Sequence, residues 1–223
     1  MDIYEAVESR VSCRAFRPES VPEAMVRRIL AAASRAPSGG NLQPWIVHVL
    51  TGAPLAELKA RIARHYDTLP KGEGTEYAIY PEPLGETYHA RRKENGAQLY
   101  ELLGIAREDR AARLNQFERN FRFFDAPVGM LFFIDRQMQP GQWSDLGMFI
   151  QTVMLLARAE GLHSCAQEAW AMFHRSVAEF VAQPPELMLF CGLALGYMDE
   201  GAIVNELRTT RAPLDDFARF SGF

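Results

Sequence analysis

The chain has 223 residues, of which 48% are hydrophobic and 23% are charged, and this composition excludes an intrinsically disordered protein. Its formal net charge of −4, without any basic block, argues against nucleic-acid binding through the phosphate backbone. No run of residues is apolar and long enough for a membrane span, and the acidic N-terminus does not resemble a signal peptide. The three widely spaced cysteines form no CxxC pair, so a cytoplasmic protein without a disulfide framework is expected.

Apolar residues at helical spacing predict a series of helices along the chain. The predicted helices cover 2–9, 20–36, 55–65, 98–103, 108–117, 143–160 and 176–181. The strongest is 143–160, where Leu146, Phe149 and Val153 belong to a wide apolar stripe. Short apolar runs predict strands over 45–50, 127–135 and 187–195. Gly192 within the last strand and Gly196 directly after it predict close backbone packing. Few strands among several helices, without βαβ alternation, favour an α+β fold, with 1–223 as one domain.

Residues 66–93 break this pattern, because prolines and glycines interrupt any periodicity while tyrosines are scattered through the segment. A long aromatic loop in a compact domain is usually functional or mobile. The segment is therefore expected to be either a lid over a binding site or a surface insertion.

Several common signatures are absent. The chain has no GxxxxGK[ST] or GxGxxG loop for nucleotide phosphates, no HExxH and no GxSxG. The five histidines lack metal-ligand spacing, and the nearest approach to a cluster is His163, Cys165 and Glu168, so no metal site is expected.

Two polar segments remain as candidate sites. In an extended segment, Arg10, Ser12 and Arg14 project to one face, which suits a phosphate clamp, although an exposed charged edge has the same pattern. Residues 36–45 place two glycines and two side-chain amides, Asn41 and Gln43, at a turn entering a strand. Such a turn can present polar groups to a flat ligand, or it is an ordinary loop.

Taken in order, these segments resemble the FMN-dependent nitroreductases, and most closely the bacterial enzymes that reduce nitrobenzoates and related nitroaromatics. The matching motifs are R-x-S-x-R-x-F at 10–16, P-S-G-G-N-x-Q-P-W at 37–45, N-F-R-F-F-D-A-P at 120–127, G-L-H-S-C-A-Q-E-A-W at 161–170 and R-T-T-R-A-P at 208–213. The resemblance implies a central, mostly antiparallel sheet flanked by helices in an intertwined homodimer. The tail at 205–223, which ends in three phenylalanines, would wrap around the partner, or alternatively pack on its own domain.

The resemblance also implies a role for particular residues. The FMN phosphate and ribityl chain would be held by Arg10, Ser12, Arg14 and Arg211. The flavin would be lined from the partner subunit by Pro37, Ser38, Gly39 and Asn41. The ring would be met at its polar edge by Asn120, with Arg122 nearby, and near N5 by the backbone of Glu168 and Ala169. The aromatic substrate would stack on Tyr88 and Phe124, although the core is the favoured place for Phe121–Phe124. The family often has glycine where Ala169 stands and lysine where Thr209 stands.

The implied function is transfer of hydride from NADPH or NADH through flavin N5 to a nitroaromatic or quinone-like acceptor, by a ping-pong mechanism that needs no catalytic side chain. Other chemistries on the same fold stay open, namely synthesis of dimethylbenzimidazole from the flavin and reductive dehalogenation of a phenol. A non-catalytic flavin carrier or redox sensor is a further alternative. No acidic or basic group that would read the 2′-ribose position is identifiable, so both nicotinamides stay open.

Overall fold

A computed structural model describes all of residues 1–223. Its helices are α1 (Ile3–Ser9), α2 (Glu23–Ala33), α3 (Gly52–Thr68), α4 (Glu86–Leu102), α5 (Arg110–Glu118), α6 (Pro140–Ala159), α7 (His174–Phe180) and α8 (Leu214–Phe217). Its strands are β1 (Ile46–Thr51), β2 (Val128–Asp135), β3 (His163–Gln167) and β4 (Leu187–Gly196). Short 3-10 turns cover Gly39–Asn41, Arg119–Asp125, Glu168–Phe173 and Ile203–Glu206. None of the helices combines the length and apolar character that crossing a bilayer requires.

Local sequence signals set the ends of α6, the longest helix. A proline occupies its first turn, and Oε1 of Gln142 accepts a hydrogen bond from the Gln139 N–H at 3.3 Å. At the other end, Gly161 adopts a φ of 78°, and the Leu162 N–H donates to the carbonyl of Ala157 at 2.8 Å. This left-handed residue closes the helix and turns the chain into β3.

The four strands form one antiparallel sheet in the order β1-β2-β4-β3. Strand β2 is central and pairs with β1 and β4, with Val128 opposite both Thr51 and Leu195. Strand β3 lies at an edge, where Cys165 pairs with Ala194 of β4. An antiparallel sheet flanked by helices confirms the predicted α+β class.

Two hydrophobic layers cover the two faces of this sheet. On one face, Met130 and Phe132 of β2 pack with α2 and α6. On the other, Leu131 and Phe133 pack with α3 and with Trp170. Because both faces are covered, β2 is apolar at almost every position, which confirms the buried strand predicted for this run.

The segment predicted as a loop over 66–93 is shorter in the structure. Tyr66 belongs to α3 and is buried, and residues from Glu86 onward form α4, which leaves irregular chain only at 69–85. The prediction missed this part of α4 because the helix has no buried residue and therefore no apolar stripe. The 69–85 loop is tied down by Glu73, whose carboxylate accepts hydrogen bonds from the Arg175 and Ser176 N–H groups at 3.0 and 3.1 Å.

Strand β3 was not predicted, because its sequence mixes polar and small residues. The prediction of close packing at the two β4 glycines is confirmed. A Cβ atom on Gly192 would lie 2.3 Å from Cδ1 of Trp170, and one on Gly196 would lie 2.6 Å from Cδ of Pro127. Neither contact leaves room for a side chain.

The start of the C-terminal tail packs on its own domain through the buried Asn205, whereas the three phenylalanines at its end do not. Phe217, Phe220 and Phe223 are 71%, 63% and 107% exposed. Three neighbouring exposed aromatic residues are unusual on the surface of a monomer.

Candidate functional site

A short extended segment near the N-terminus runs beside the edge strand β3. Ser12 forms a parallel bridge with Ser164, and the Cys13 N–H donates to the Ser164 carbonyl at 3.0 Å. The Arg14 N–H donates to Oδ1 of the buried Asn205 at 2.7 Å, which joins this segment to the start of the tail. Because Cys13 points into the core, alternation turns the side chains of Ser12 and Arg14 outward.

Four guanidinium groups meet at a pocket of about 390 Å³ beside this segment, here called the arginine pocket. Its polar lining consists of the single carboxylate of Glu8 together with Arg10, Ser12, Arg14, Gln151, Arg208, Thr209 and Arg211. The structure thus brings together the four residues that were assigned to the phosphate, and it adds Arg208, which was noted only as part of a motif. None of the four arginines forms a salt bridge. A group of unpaired guanidinium groups is suited to bind an anion.

A second pocket, of about 580 Å³, opens at the C-terminal end of β3 and is here called the apolar pocket. Nine of its 14 lining residues are hydrophobic. Three predicted site residues, Asn120, Glu168 and Ala169, lie together in its wall. Ile79 and Tyr80, from the 69–85 loop, also contribute to the lining, so part of the predicted lid segment does border this site.

Gln167 is a site residue that the sequence analysis missed. It is 2% exposed and lines the apolar pocket. Its amide nitrogen donates to the backbone carbonyl of Asn120 at 2.7 Å and lies 3.3 Å from that residue's Oδ1. Its Oε1 atom has no hydrogen-bond partner in the chain. The A-Q-E-A-W stretch of the motif contained it, but the alternation of β3 was needed to turn it inward.

The electrostatics of the apolar pocket follow from its low polarity. Desolvation raises the pKa of the Glu168 carboxyl, which has no cationic partner. Burial likewise raises the pKa of the Cys191 thiol, and the charge on Glu168 raises it further. A thiol in this environment stays protonated at neutral pH and is a poor nucleophile. The pocket therefore favours binding a flat apolar group over nucleophilic catalysis by its own side chains.

The predicted turn residues Pro37, Ser38, Gly39 and Asn41 border neither pocket of their own chain. The turn is held on α6, where the Gly39 N–H donates to Oδ2 of the buried Asp145 at 3.0 Å. Asn41 has a φ of 57°, so the turn keeps an unusual left-handed shape and stays exposed. A role in the same site would require these residues to come from a second subunit.

Three residues predicted at the site, Phe124, Tyr88 and Arg122, border neither pocket. Phe124 is 2% exposed and packs in the core beside α3, so its ring is not available to a substrate. Tyr88 lies in the first turn of α4, is 63% exposed and borders neither pocket within one chain. Arg122 is paired with Asp125 at 3.1 Å and borders neither pocket.

Residues 7–197 match the sequence profile of the nitroreductase family. The chain belongs to this family. Membership confirms the resemblance that the ordered motifs had indicated, and the matched residues include the whole lining of the apolar pocket and the 10–14 segment of the arginine pocket.

Relatives of the same length share the fold. A 4-nitrobenzoate reductase of Pseudomonas putida is 38% identical, covering 100% of this chain and 96% of that protein. The structure of the FMN- and NADPH-dependent nitroreductase NfnB from Sphingopyxis sp. strain HMH has a TM-score of 0.97 at 42% identity, with both chains covered completely. NfnB from Mycobacterium smegmatis, solved in complex with NADPH, has a TM-score of 0.93 at 30% identity, covering 98% of this chain and 97% of that one.

Proposed function

We propose that this nitroreductase-family chain binds FMN and uses NAD(P)H to reduce nitroaromatic or quinone-like acceptors. The observation that carries the proposal is the placement of the arginine pocket and the apolar pocket along one strand. Ser164 adjoins the first pocket and Glu168 the second, and the strand rise sets them roughly 13 Å apart. FMN has matching chemistry, because a flexible ribityl chain separates its dianionic phosphate from its flat aromatic ring.

The arginine pocket fits the phosphate. Arg10, Arg14 and Arg211 supply planar donors that suit bidentate bonds to phosphate oxygens, and Ser12 adds a hydroxyl. Arg208 would add a fourth positive charge, which compensates for Thr209 in place of the lysine common in the family.

The apolar pocket fits the ring, and the unpaired Oε1 of Gln167 supports this assignment. A buried acceptor without a partner costs on the order of 1–3 kcal/mol, and a ring N–H at the polar edge of the flavin would satisfy it. Asn120, already bonded to Gln167, would contribute to the same polar edge. The backbone of Glu168 and Ala169 would border the ring from the end of β3.

When bound, FMN supplies the redox chemistry by taking up two electrons from NAD(P)H and passing them to the acceptor. The chain's own residues hold the phosphate, orient the ring and shield the apolar pocket from water. Ile79 and Tyr80 would form part of that cover, and Tyr88 is retained as a proposed contact to the acceptor. Because one pocket serves both donor and acceptor, they would bind in turn, which gives ping-pong kinetics.

We further propose that the functional unit is a homodimer in which Pro37, Ser38, Gly39 and Asn41 of each subunit complete the flavin site of the other. The exposed apolar surface supports this. Ile3 and Tyr4 of α1 are 61% and 77% exposed, Met148 of α6 is 41% exposed, and the tail phenylalanines add to them. Analytical ultracentrifugation should give twice the chain mass of 25.2 kDa, and a stable monomer with bound FMN would contradict the shared site.

Anaerobic stopped-flow spectroscopy tests the activity. The FMN-loaded protein is mixed with NADPH or NADH, and the reduced protein is then mixed with nitrobenzoates, quinones or halophenols. Rapid bleaching of the flavin and stoichiometric reoxidation by a nitroarene are expected. A flavin that neither nicotinamide reduces would indicate a carrier or sensor. Reoxidation by halophenols alone would indicate a dehalogenase, and oxygen-dependent loss of the flavin would indicate dimethylbenzimidazole synthesis.

The cofactor site has its own test in a matched pair of variants. Arg211→Gln should weaken FMN binding by about tenfold or more, since it removes one charge-assisted contact to the phosphate. Arg64→Gln, on the exposed face of α3, makes the same chemical change away from both pockets and should leave FMN affinity unchanged. Fluorescence titration of the protein with FMN measures both. Equal FMN affinities for the two variants would show that the phosphate does not bind in the arginine pocket.

A further inference from the structure

Helices α4 and α5 enclose a groove of about 1030 Å³ that the proposed FMN site leaves unused, here called the α4–α5 groove. Tyr80, Arg92 and Phe117 border both this groove and the apolar pocket, so the two spaces adjoin. A ligand that places one end in the apolar pocket can therefore extend along the groove.

The groove concentrates positive charge in a chain whose net charge is −4. Its lining includes Arg92, Lys93, Arg107 and Arg113, against the single carboxylate of Glu101. None of the four cations forms a salt bridge. Because like charges repel, gathering unpaired cations along one groove favours an anionic ligand.

Two of these cations are oriented by aromatic rings. The guanidinium carbon of Arg92 lies 4.0 Å from the centre of the Tyr80 ring, and that of Arg113 lies 3.7 Å from the centre of the Tyr100 ring. Stacking fixes the plane of a guanidinium group while its N–H edge stays free. An edge presented in this way suits bidentate contact with phosphate oxygens.

We propose that the α4–α5 groove binds the 2′-phosphate and pyrophosphate of NADPH while the nicotinamide enters the apolar pocket, so that the chain prefers NADPH to NADH. This inference rests on the proposed function. NADPH differs from NADH by one additional phosphate, and four unpaired cations exceed what a pyrophosphate alone requires. The helical rise separates Arg92 from Tyr100 by about 12 Å along α4, a span suited to an extended dinucleotide.

A carboxylate on the aromatic acceptor is the competing anion. Such a group could reach Arg92, which borders the apolar pocket, but Lys93, Arg107 and Arg113 border only the groove. Arg107 and Arg113 therefore separate the two possibilities, because a small acceptor bound in the apolar pocket does not extend to them.

The test uses the FMN-loaded protein and the double variant Arg107→Gln/Arg113→Gln, with Arg64→Gln as the control. Isothermal titration calorimetry with adenosine 2′,5′-bisphosphate, and with AMP for comparison, measures the affinity of the groove for phosphates without catalytic turnover. The wild type should bind the bisphosphate more tightly than AMP, and the double variant should lose about tenfold or more of that affinity. The ratio of kcat/KM for NADPH to that for NADH should fall by a similar factor, whereas the control should match the wild type.

Two results would overturn the inference. One is an unchanged affinity for the bisphosphate and an unchanged NADPH-to-NADH ratio in a double variant that melts like the wild type. The other is a raised KM for 4-nitrobenzoate but not for nitrobenzene, with NADPH kinetics unaffected, which would assign the groove to the acceptor. Failure of the proposed function is distinct, because it would show as wild-type protein that binds no FMN or is not reduced by either nicotinamide.

Discussion

Replacing Gly192 by alanine tests how tightly the sheet fixes the wall of the apolar pocket. The new Cβ atom would lie 2.3 Å from Cδ1 and 2.9 Å from Cγ of Trp170. Carbon atoms in contact normally lie about 3.5–4.0 Å apart, so the indole would have to retreat by roughly 1 Å. Trp170 is fully buried and stacks on Phe123 with ring centres 4.3 Å apart, which leaves it no free space behind.

The expected cost follows from these contacts. Overpacking a rigid core costs about 1–3 kcal/mol, and this site belongs at the upper end because the obstructing atoms are a buried ring. Replacing a strand glycine by alanine also stabilises the folded state by roughly 0.5–1 kcal/mol, because alanine loses less conformational entropy on folding. The net loss of unfolding free energy is therefore about 2 kcal/mol, which for a chain of this size lowers Tm by about 4–8 °C. Movement of Trp170 would also shift Glu168 and Ala169 in the same 3-10 turn and weaken FMN binding.

Thermal unfolding followed by circular dichroism measures this loss, with and without FMN. Gly141→Ala is the matched control, because a Cβ atom at that position in the first turn of α6 meets nothing within 4 Å. It should melt at or slightly above the wild-type temperature, since alanine favours a helix. If Gly192→Ala melts like this control and keeps its FMN affinity, Trp170 can retreat freely and does not fix the pocket wall.

Three further changes have expected outcomes. Burial and nearby Arg158 lower the pKa of His163 to about 4, so the wild type should lose stability as pH falls from 6.5 towards 4. Urea titrations should show a smaller loss for His163→Asn. Because the pKa of Glu168 is raised, Glu168→Gln should raise the Tm of FMN-free protein at pH 8, and the difference should vanish in acid. Glu73→Gln weakens the bonds to Ser176 that tie the loop before α4, so limited proteolysis should cut that loop faster.

The sequence predicted those elements whose burial imposes a pattern. Helix α6 and strands β2 and β4 bury apolar residues on one or both faces, and their residue types reflect it. Helix α4 has no buried residue, so no apolar stripe marks its first part, and the sequence predicted only its end, at 98–103. Strand β3 forms an edge of the sheet and contains His163, Ser164 and Gln167, and these polar residues hid its strand character.

The residues of the arginine pocket also differ in how far the sequence alone could predict them. Arg10, Ser12 and Arg14 could be assigned together because their two-residue spacing is itself the geometry of an extended chain. Arg211 lies beside these residues because the contact between Asn205 and Arg14 brings the tail next to the 10–14 segment. The spacing of residues along the chain does not predict this contact.

Three of the groove cations lie on helices and one lies in the turn between them, namely Arg92, Lys93, Arg113 and Arg107. Charged residues at such surface positions are ordinarily solvated or paired with acids. In the folded chain they face one groove, two of them lie over tyrosine rings, and no carboxylate forms a salt bridge with any of them. Pairing depends on which helices pack side by side, which composition and periodicity do not encode. The distinction between a solvated charged face and an anion-binding groove therefore arises only with the tertiary fold, and the bisphosphate titration measures that distinction directly.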